Sequence, residues 1–371
     1  MNDKTAERQV LDGTAWEEFC DAIKEAGAIL HAQNAPKDAF NLAEGYRYLT
    51  RMLRGGLEGS VEYADRDFPV LRRSCHETIK LGADNPDNYY QSTNINPEYD
   101  YRIVGSRGDV PYLSIASASN QYARGGGMLV TGFLDAGNME VGADGELEVV
   151  LSQLERQGNW LPMTADTNQI LVRQTHQDRL NERVAELRIE RINGGQERPE
   201  PYSPEKLISG LRGATRFLKN TTALFEGWAE SMLPHENTLP QGDQAYFRML
   251  GGDPNIHYFH SYWRLEDDEV LVLDAPVPDC ETWNFQLDNW WMESLDYVNH
   301  TVHKNKHTAH YAQPGRVRIV VAHRDPGHPN WVETAGHHNG TMCWRWIGAS
   351  EHPDIETRVV KHDEFVAQQA T

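Results

Sequence analysis

The feature that most constrains this chain is a change in the spacing of its apolar residues. Between Trp16 and Leu30 they recur at steps of three and four, which predicts an amphipathic helix. From Tyr101 onward they alternate with polar residues, the period of a β-strand with one buried face. Helices followed by strands predict an α+β fold.

The helical pattern predicts three helices before residue 82 and one later. The first begins behind Thr14 as N-cap, the second covers residues 38–53 and ends at Gly55 and Gly56, and the third follows Pro69. A Gly- and Pro-rich linker at 194–203 precedes a helix over 204–232. These helices form an N-terminal segment and an insertion between strand-rich parts.

The remaining chain predicts a predominantly antiparallel β-sandwich of jelly-roll type. Turn residues separate two strands around 105–109 and a hairpin over 139–150, and the chain after Gly348 reads as a loose acidic tail. Other strands are predicted at 169–174, 186–192, 257–273, 283–289, 316–322 and 342–347.

The length of 371 residues favours two subdomains, because single cores usually stop growing at about 250–300 residues. We divide the chain into a helical segment at 1–82, a first β-rich part at 83–200, a helical insertion at 201–235 and a second β-rich part at 236–371 that carries the candidate site.

The net charge narrows the class of partner, and the cysteines bear on the cellular location. The 55 acidic and 35 basic residues give a formal charge of −20, which disfavours nucleic acid and anionic membranes and leaves a small molecule as the expected partner. Four scattered cysteines without a C-x-x-C pair, no apolar run in residues 1–10 and no membrane-length apolar stretch predict a cytoplasmic protein. Assembly of the chain into a homo-oligomer is left as an open alternative.

The segment 283–293 is the strongest candidate for a binding cleft. Its strand-like alternation sets polar side chains beside an unusual density of tryptophan, typical either of a half-enclosed pocket or of a solvated outer face. The residues predicted to contact substrate, with two from a later loop, are Trp283, Asn284, Gln286, Asn289, Trp290, Trp291, Asn330 and Trp331.

A rigid loop with two prolines follows the strand at 316–322 and offers acid–base chemistry. His323 or His328 would move a proton, and Asp325 would orient the imidazole. Arg324 or Arg345 would stabilise developing negative charge. The competing interpretation is that Asp325 only caps a turn.

Histidines upstream of that loop raise a metal-dependent alternative. The candidate ligands step by three, four and three residues, with His303 and His307 as the main pair, but the segment is better suited to a loop than to a helix: His300, His303, His307 and His310. We predict no metal and no other cofactor.

Several motifs resemble a bacterial family known only as domain of unknown function 1214, a companion of family 1254. They are Asp84-Asn85-Pro86-Asp87-Asn88-Tyr89 with Tyr101-Arg102-Ile103, Asn159-Trp160-Leu161-Pro162, and Asp325-Pro326-Gly327 before Asn330-Trp331. The resemblance covers about residues 80–348. It implies a jelly-roll sandwich decorated by helices and no particular reaction, and the histidines at 300–338 go beyond its pattern.

Three functions remain in competition. The first is an enzyme that acts on a small apolar or aromatic molecule by metal-independent general acid–base chemistry, as a hydrolase, lyase or hydratase does. The second is a non-catalytic sugar- or glycan-binding sandwich that uses tryptophan stacking and amide hydrogen bonds. The third is a metal-dependent enzyme built on the stretch His300–His310.

Overall fold

The computed structural model describes residues 3–195 and 197–369. Its helices are α1 (Asp3–Leu11), α2 (Thr14–Ala26), α3 (Ala39–Leu57), α4 (Pro204–Met232), α5 (Gln244–Met249) and α6 (His362–Gln369). Strands β1–β8 are Asn88–Asn94, Tyr101–Ser106, Tyr112–Asn120, Met128–Asp135, Glu146–Ser152, Trp160–Pro162, Gln169–Thr175 and Glu186–Arg191. Strands β9–β16 are Ile256–Arg264, Glu269–Pro276, Thr282–Leu287, His303–Asn305, Arg316–Ala322, Trp331–Glu333, Asn339–Ile347 and Glu356–Lys361.

The strands form two predominantly antiparallel β-sandwiches, which confirms the predicted fold class. In the first, the sheet β1-β7-β3-β4 packs on β6-β5-β2-β8, and alternate residues such as Leu147, Val149 and Leu151 fill the core between them. In the second, the sheet β12-β11-β15-β9 packs on β14-β13-β10-β16. The N-terminal helices and the inserted α4 complete the α+β architecture.

Strands β11 and β15 are buried on both faces. Trp283 and Phe285 point into the second sandwich, where the Trp283 ring stacks on Trp344 with centroids 4.9 Å apart. The alternate residues, including Cys343, point into another core. That core is shared by α3, α4 and both sandwiches, so the helices bridge the two β units.

Helix α3 runs past the predicted stop at Gly55 and Gly56. A Cβ atom on Gly56 would lie 2.9 Å from the Ala214 carbonyl oxygen of α4, so the glycine permits close helix packing. The predicted ending was wrong because this glycine serves a contact between helices. The predicted N-cap also shifts: Gly13 precedes α2, and Asp12 accepts the Thr14 backbone N–H.

Three other local predictions need correction. No helix follows Pro69; residues 63–87 are mostly irregular, with isolated bridges such as Arg72 to Ser92. The two strands predicted around 105–109 are present as β2 and β3, in different sheets, but within the predicted hairpin at 139–150 only β5 is a strand. The acidic tail is ordered, because β16 pairs with β10 and leads into α6.

Across the described ranges, every helix is too short or too polar to span a lipid bilayer.

Candidate ligand-binding cavity

The face of the first sandwich that is turned toward the helices carries a polar patch. Tyr90 and Ser92 on β1 lie two residues apart and share one face, and the β1–β7 register sets Tyr90 opposite Arg173. An isolated bridge places Arg72 beside Ser92, with backbone hydrogen bonds of 3.1 and 2.9 Å. The fold therefore gathers these four side chains from three separate segments.

These four residues line a cavity between the first sandwich and the helices, which we call the junction cavity. Its volume is about 160 Å³, and a neighbouring cavity of about 70 Å³ shares Tyr90 and Arg173 with it. Aliphatic and aromatic residues complete the lining of the junction cavity: Ile79, Leu81, Met128, Leu171, Phe217 and Phe225. The lining is therefore partly polar and partly apolar.

Several buried polar atoms in these walls lack a hydrogen-bond partner within residues 3–195 and 197–369. In the junction cavity they are Arg72 Nη1, Ser92 Oγ and Arg173 Nη1. In the neighbouring cavity Asn85 Nδ2 and His260 Nδ1 are also unpaired. Because buried polar groups are normally satisfied, their concentration around one space indicates a missing partner such as a ligand or water.

Arg173 is held in place by its other contacts. Its side chain is 8% exposed, Nη2 donates to the Gly251 carbonyl, and Nη1 lies 3.8 Å from Asp253 Oδ2. Asp253 accepts the Tyr112 hydroxyl at 2.8 Å and the Ser114 hydroxyl at 2.7 Å. The carboxylate is thus satisfied by other donors, while Nη1 of Arg173 keeps an unused hydrogen.

The segment around Asp84 joins the junction cavity to the second sandwich. Asn284 Nδ2 donates to Asn85 Oδ1 at 2.7 Å, and Gln286 Nε2 donates to the Asp84 carbonyl at 2.9 Å. Arg345 donates to Gln286 Oε1 and to the carbonyl of Ala83. The polar face of β11 and β15 is therefore a buried junction between the β units.

Two carboxyl groups in this junction have altered acidity. Burial raises the pKa of Asp84, against the opposing effects of Lys80 and of two hydrogen bonds from Ser294 at 3.0 and 2.8 Å. Burial raises the pKa of Asp288 to about 8, although Gln286 and Arg345 favour its ionised form. Asp288 is therefore mostly protonated at neutral pH.

The predicted tryptophan pocket does not form. Trp283, Trp290 and Trp291 are at most 1% exposed and belong to hydrophobic cores, and Trp331 is half-buried with its indole N–H donating to the Ala322 carbonyl. The dense tryptophans are core residues because both faces of this sheet are covered. None of the four lines the junction cavity.

The predicted amides are buried as well, but in structural roles. Asn289 donates to Oε2 of Glu293 at 2.9 Å. The other carboxylate oxygen of Glu293, Oε1, forms an ion pair with Arg51 at 2.6 Å. Asn330 donates to the carbonyls of His310 and Arg318 at 2.7 and 2.8 Å and so fixes a loop. Only Asn284 and Gln286 lie beside the polar junction.

The predicted acid–base pair of His323 and Asp325 is not formed. The His323 ring contacts Thr334 Oγ1 at 2.8 Å and the Leu265 carbonyl at 3.2 Å, and Asp325 accepts the Gly327 backbone N–H in a turn. Arg324 is exposed, whereas Arg345 is buried in the junction. The catalytic set is therefore divided between separate parts of the molecule.

Part of that set borders a second pocket of about 160 Å³. His328 and Asn330 line it together with His310, Asp274 and Arg318. Burial lowers the pKa of His328, which keeps its imidazole neutral. Asp274 is fully engaged by Arg318 at 2.7 and 3.1 Å and by Arg358 at 2.7 Å.

The upstream histidines separate rather than converge. Three of them approach different carboxylates: His300 lies 3.0 Å from Glu333, His303 lies 3.1 Å from Asp87, and His307 lies 3.7 Å from Asp178. Within the described residues, the group with metal-ligand spacing is Asp267, His323 and His338, on the surface. The segment is a loop with the short strand β12, as predicted.

Sequence reasoning missed the residues that line the junction cavity. Asp84, and Asn85 of the neighbouring cavity, were noticed only as part of a family motif, whereas Arg72, Ser92 and Arg173 gave no signal. Strand β7 was predicted, and period two places Arg173 on one of its faces, but nothing local shows that helices cover that face.

These features define the class: an α+β protein of two β-sandwiches with a ligand-sized cavity where they meet the helices. The chain is similar to an uncharacterized protein from Burkholderia cenocepacia of known crystal structure, with 48% identity over 96% of this chain and 99% of that one and a TM-score of 0.93. It belongs to the same family as that protein.

A second solved structure, the VPA0106 protein from Vibrio parahaemolyticus, has 11% identity over 86% of this chain and 98% of that one, with a TM-score of 0.49. A likeness at that level supports no conclusion about this chain. No family model and no curated protein matches the sequence. Membership of family 1214 stays a prediction.

Proposed function

We propose that this protein binds a small, largely apolar molecule in the junction cavity. The observation that carries the proposal is the cavity of about 160 Å³ whose lining holds three buried polar atoms without a hydrogen bond in the described chain, on Arg72, Ser92 and Arg173. Protein interiors are close-packed, and unpaired polar groups are costly, so such a space is expected to be kept for an occupant.

The volume limits the size of the occupant. An apolar cavity of about 150 Å³ is large enough to hold benzene. The junction cavity therefore suits a single ring or a short branched chain, and the neighbouring space of about 70 Å³ leaves room for one substituent. Steroids and long acyl chains are too large for this space as it stands.

A cavity-filling substitution tests the proposal. Leu171→Phe on β7 adds bulk to the cavity wall and should abolish binding of small aromatic probes, measured by ligand-observed NMR and thermal shift. The matched control is Leu129→Phe on β4 of the same sheet, where the side chain is 56% exposed and outside the cavity. Equal probe binding by wild type and a folded Leu171→Phe protein would contradict the proposal.

An enzymatic function at the same site is the second candidate, supported by Tyr90. Its hydroxyl accepts the Asn85 backbone N–H at 3.0 Å, and no acceptor for its own proton occurs in the described chain. Burial raises the pKa of Tyr90 far above its ordinary value, so the phenol stays protonated and can donate to a ligand carbonyl. This retains the proposal of acid–base chemistry without a redox cofactor.

Tyr90→Phe separates this candidate from simple binding. If Tyr90 donates a proton during turnover, the variant should bind the ligand with little change in Kd and lose at least about 100-fold in kcat in hydrolase, lyase or hydratase assays. An unchanged kcat would exclude Tyr90 as the acid. His323→Ala is the companion variant, since it removes the acid first predicted from the sequence but lies outside the cavity walls.

The two other predicted functions gain less support from the geometry. Stacking on a sugar would require the tryptophans at 283, 290 and 291 to leave hydrophobic cores. A metal site at 300–310 would require histidines that face three different carboxylates to converge. Both rearrangements would disrupt contacts that the fold already uses.

We also propose a cytoplasmic location. Within the described residues all four cysteines are free thiols, and Cys75, Cys280 and Cys343 are buried. Free thiols are typical of a reducing compartment. Assembly into a homo-oligomer stays a prediction, which sedimentation or light scattering of the purified chain can test.

A further inference from the structure

We propose that the molecule bound in the junction cavity is a small organic carboxylate, held by Arg173 through a charge-assisted hydrogen bond. This inference rests on the proposed function, because it assigns a chemical class to the occupant of the same site. It goes beyond that function by requiring one negative charge on a compact apolar body.

The charges that line the two cavities support an anionic occupant. They comprise three guanidinium groups, on Arg72, Arg173 and Arg345, and one carboxyl group, on Asp84. Three cations against one carboxylate leave an excess of two positive charges in the walls. An occupant with a positive charge would meet direct repulsion there.

Groups just behind the walls remove part of this excess. Glu58 lies 3.8 Å from Arg72, and Asp253 lies 3.8 Å from Arg173. The amine of Lys80 donates to the carbonyls of Ser294 and Leu295, and its positive charge attracts the Asp84 carboxylate. Two anions and one cation reduce the excess from two positive charges to one.

The remaining positive charge belongs to Arg345. Its hydrogen bonds go to the amide oxygens of Gln286 and Asn284 and to the carbonyl of Ala83, which are neutral acceptors. The pKa of nearby Asp288 is about 8, so this carboxyl group is mostly neutral at pH 7. Arg345 shares the Asp84 carboxylate with Lys80, so a ligand carboxylate would add an attraction for this buried guanidinium, which lines the neighbouring cavity.

The arrangement of donors fits a carboxylate in particular. Nη1 of Arg173 and Nη1 of Arg72 each have an unused hydrogen, and the unpaired Ser92 hydroxyl lies on the same sheet face. A guanidinium group presents planar donors that match the two oxygens of a carboxylate. The apolar part of the lining, with Leu171, Phe217 and Phe225, would then pack on a ring or branched chain.

The experiment measures binding of four matched probes to the full chain at pH 7 by isothermal titration calorimetry. Benzoate carries the charge, benzamide is its neutral counterpart, benzylamine carries the opposite charge, and toluene has only the ring. We expect benzoate to bind at least about tenfold more tightly than benzamide and benzylamine not to bind, because charge-assisted bonds are stronger than neutral ones.

Variants of the polar lining residues test which of them bind the carboxylate of benzoate. Arg173→Lys keeps a cation opposite Asp253 but loses the planar fork, so it should weaken benzoate at least about tenfold and leave toluene unchanged. Ser92→Ala removes a hydroxyl that has no partner in the described structure, so the fold should survive and benzoate should bind more weakly. Arg188→Met, at a surface arginine with a side chain 74% exposed, is the control.

The outcomes separate the two proposals. If toluene or benzamide binds as tightly as benzoate, or if a folded Arg173→Lys protein binds benzoate normally, the carboxylate assignment is wrong and the cavity remains a binding site. If no probe binds wild type at millimolar concentration, both proposals fail. Should Arg173→Lys not fold, Ser92→Ala and Arg72→Met decide, and full benzoate affinity in both overturns the assignment.

Discussion

Asp288 illustrates how burial changes the chemistry of a single side chain. It is fully buried directly after β11, its Oδ1 accepts a hydrogen bond from Gln286, and its Oδ2 has no partner in the described chain. Burial disfavours the ionised form more strongly than Gln286 and Arg345 favour it. The residue therefore behaves as a neutral acid near pH 7.

This acidity predicts a pH-dependent stability that Asp288→Asn should remove. An unfolded aspartate titrates near pH 4, whereas Asp288 in the folded chain titrates at about 8. Between these values the folded state holds the extra proton. The stabilisation by this group is therefore complete below about pH 4 and falls by at most about 1.4 kcal/mol per pH unit until about pH 8.

Urea unfolding of both proteins at pH 5, 6, 7 and 8 checks this prediction. The advantage of wild type over Asp288→Asn should decrease as pH rises, since other titrating groups cancel in the difference. A difference that is constant across these four pH values would show that Asp288 is ionised in the folded protein.

At the scale of elements, the contact between α3 and α4 depends on glycine. The backbone of Gly56 approaches that of Ala214 on α4. Gly45, a second glycine of α3, faces Trp291 instead of α4, and a Cβ there would lie 2.8 Å from the Trp291 ring. The helices can pack this closely only where side chains are absent. Helix propensity alone would favour alanine at both positions.

Gly56→Ala should therefore destabilise the protein, by about 1–3 kcal/mol, because the added methyl meets a backbone oxygen that cannot rotate away. Gly227→Ala on α4 is the matched control, since a Cβ there would have no neighbour within 4 Å. That control should stabilise the protein by about 0.5–1 kcal/mol. Thermal unfolding followed by circular dichroism compares them; destabilisation by both, or by neither, would contradict this account.

At the scale of the whole molecule, the two sandwiches are joined by a shared apolar core and by the buried polar junction. Residues of α3, α4, β3 and β9 contribute to that core, and Arg345 of the second sandwich donates to the Ala83 carbonyl at the entrance to the first. Such an interface is too extensive for the two β units to behave as independent domains. We expect them to unfold together.

Arg345→Met tests this coupling. The variant leaves the Ala83 carbonyl and the Gln286 oxygen without their buried donor, at a cost of about 3 kcal/mol. It should split or broaden the single unfolding transition that we expect for wild type in calorimetry. Arg318→Met removes an exposed arginine that pairs with Asp274 and should leave one transition. Two well-separated transitions in wild type would show that the sandwiches are uncoupled.

The sequence predicted which segments form helices and strands far better than which of these elements pack or pair with one another. Helix α4 was predicted with its observed bounds, and the strands at 169–174, 283–289 and 316–322 were located within a few residues. Failures occurred where a contact distant in sequence decides the outcome. Gly56 does not end a helix because α4 packs on it, and no hairpin forms at 139–150 because β5 pairs with β2 and β6.

By itself, the sequence determined the α+β class, the antiparallel strands and the loop character of residues 300–310, because apolar periodicity and turn residues act over a few positions. Only the tertiary structure decided the site. Whether Arg173 faces solvent or a cavity depends on helices that cover its sheet, and whether Trp283 stacks on a ligand or on Trp344 depends on a second sheet. Whether a strand face is buried depends on residues distant in the sequence, and the candidate site lies on such a buried face.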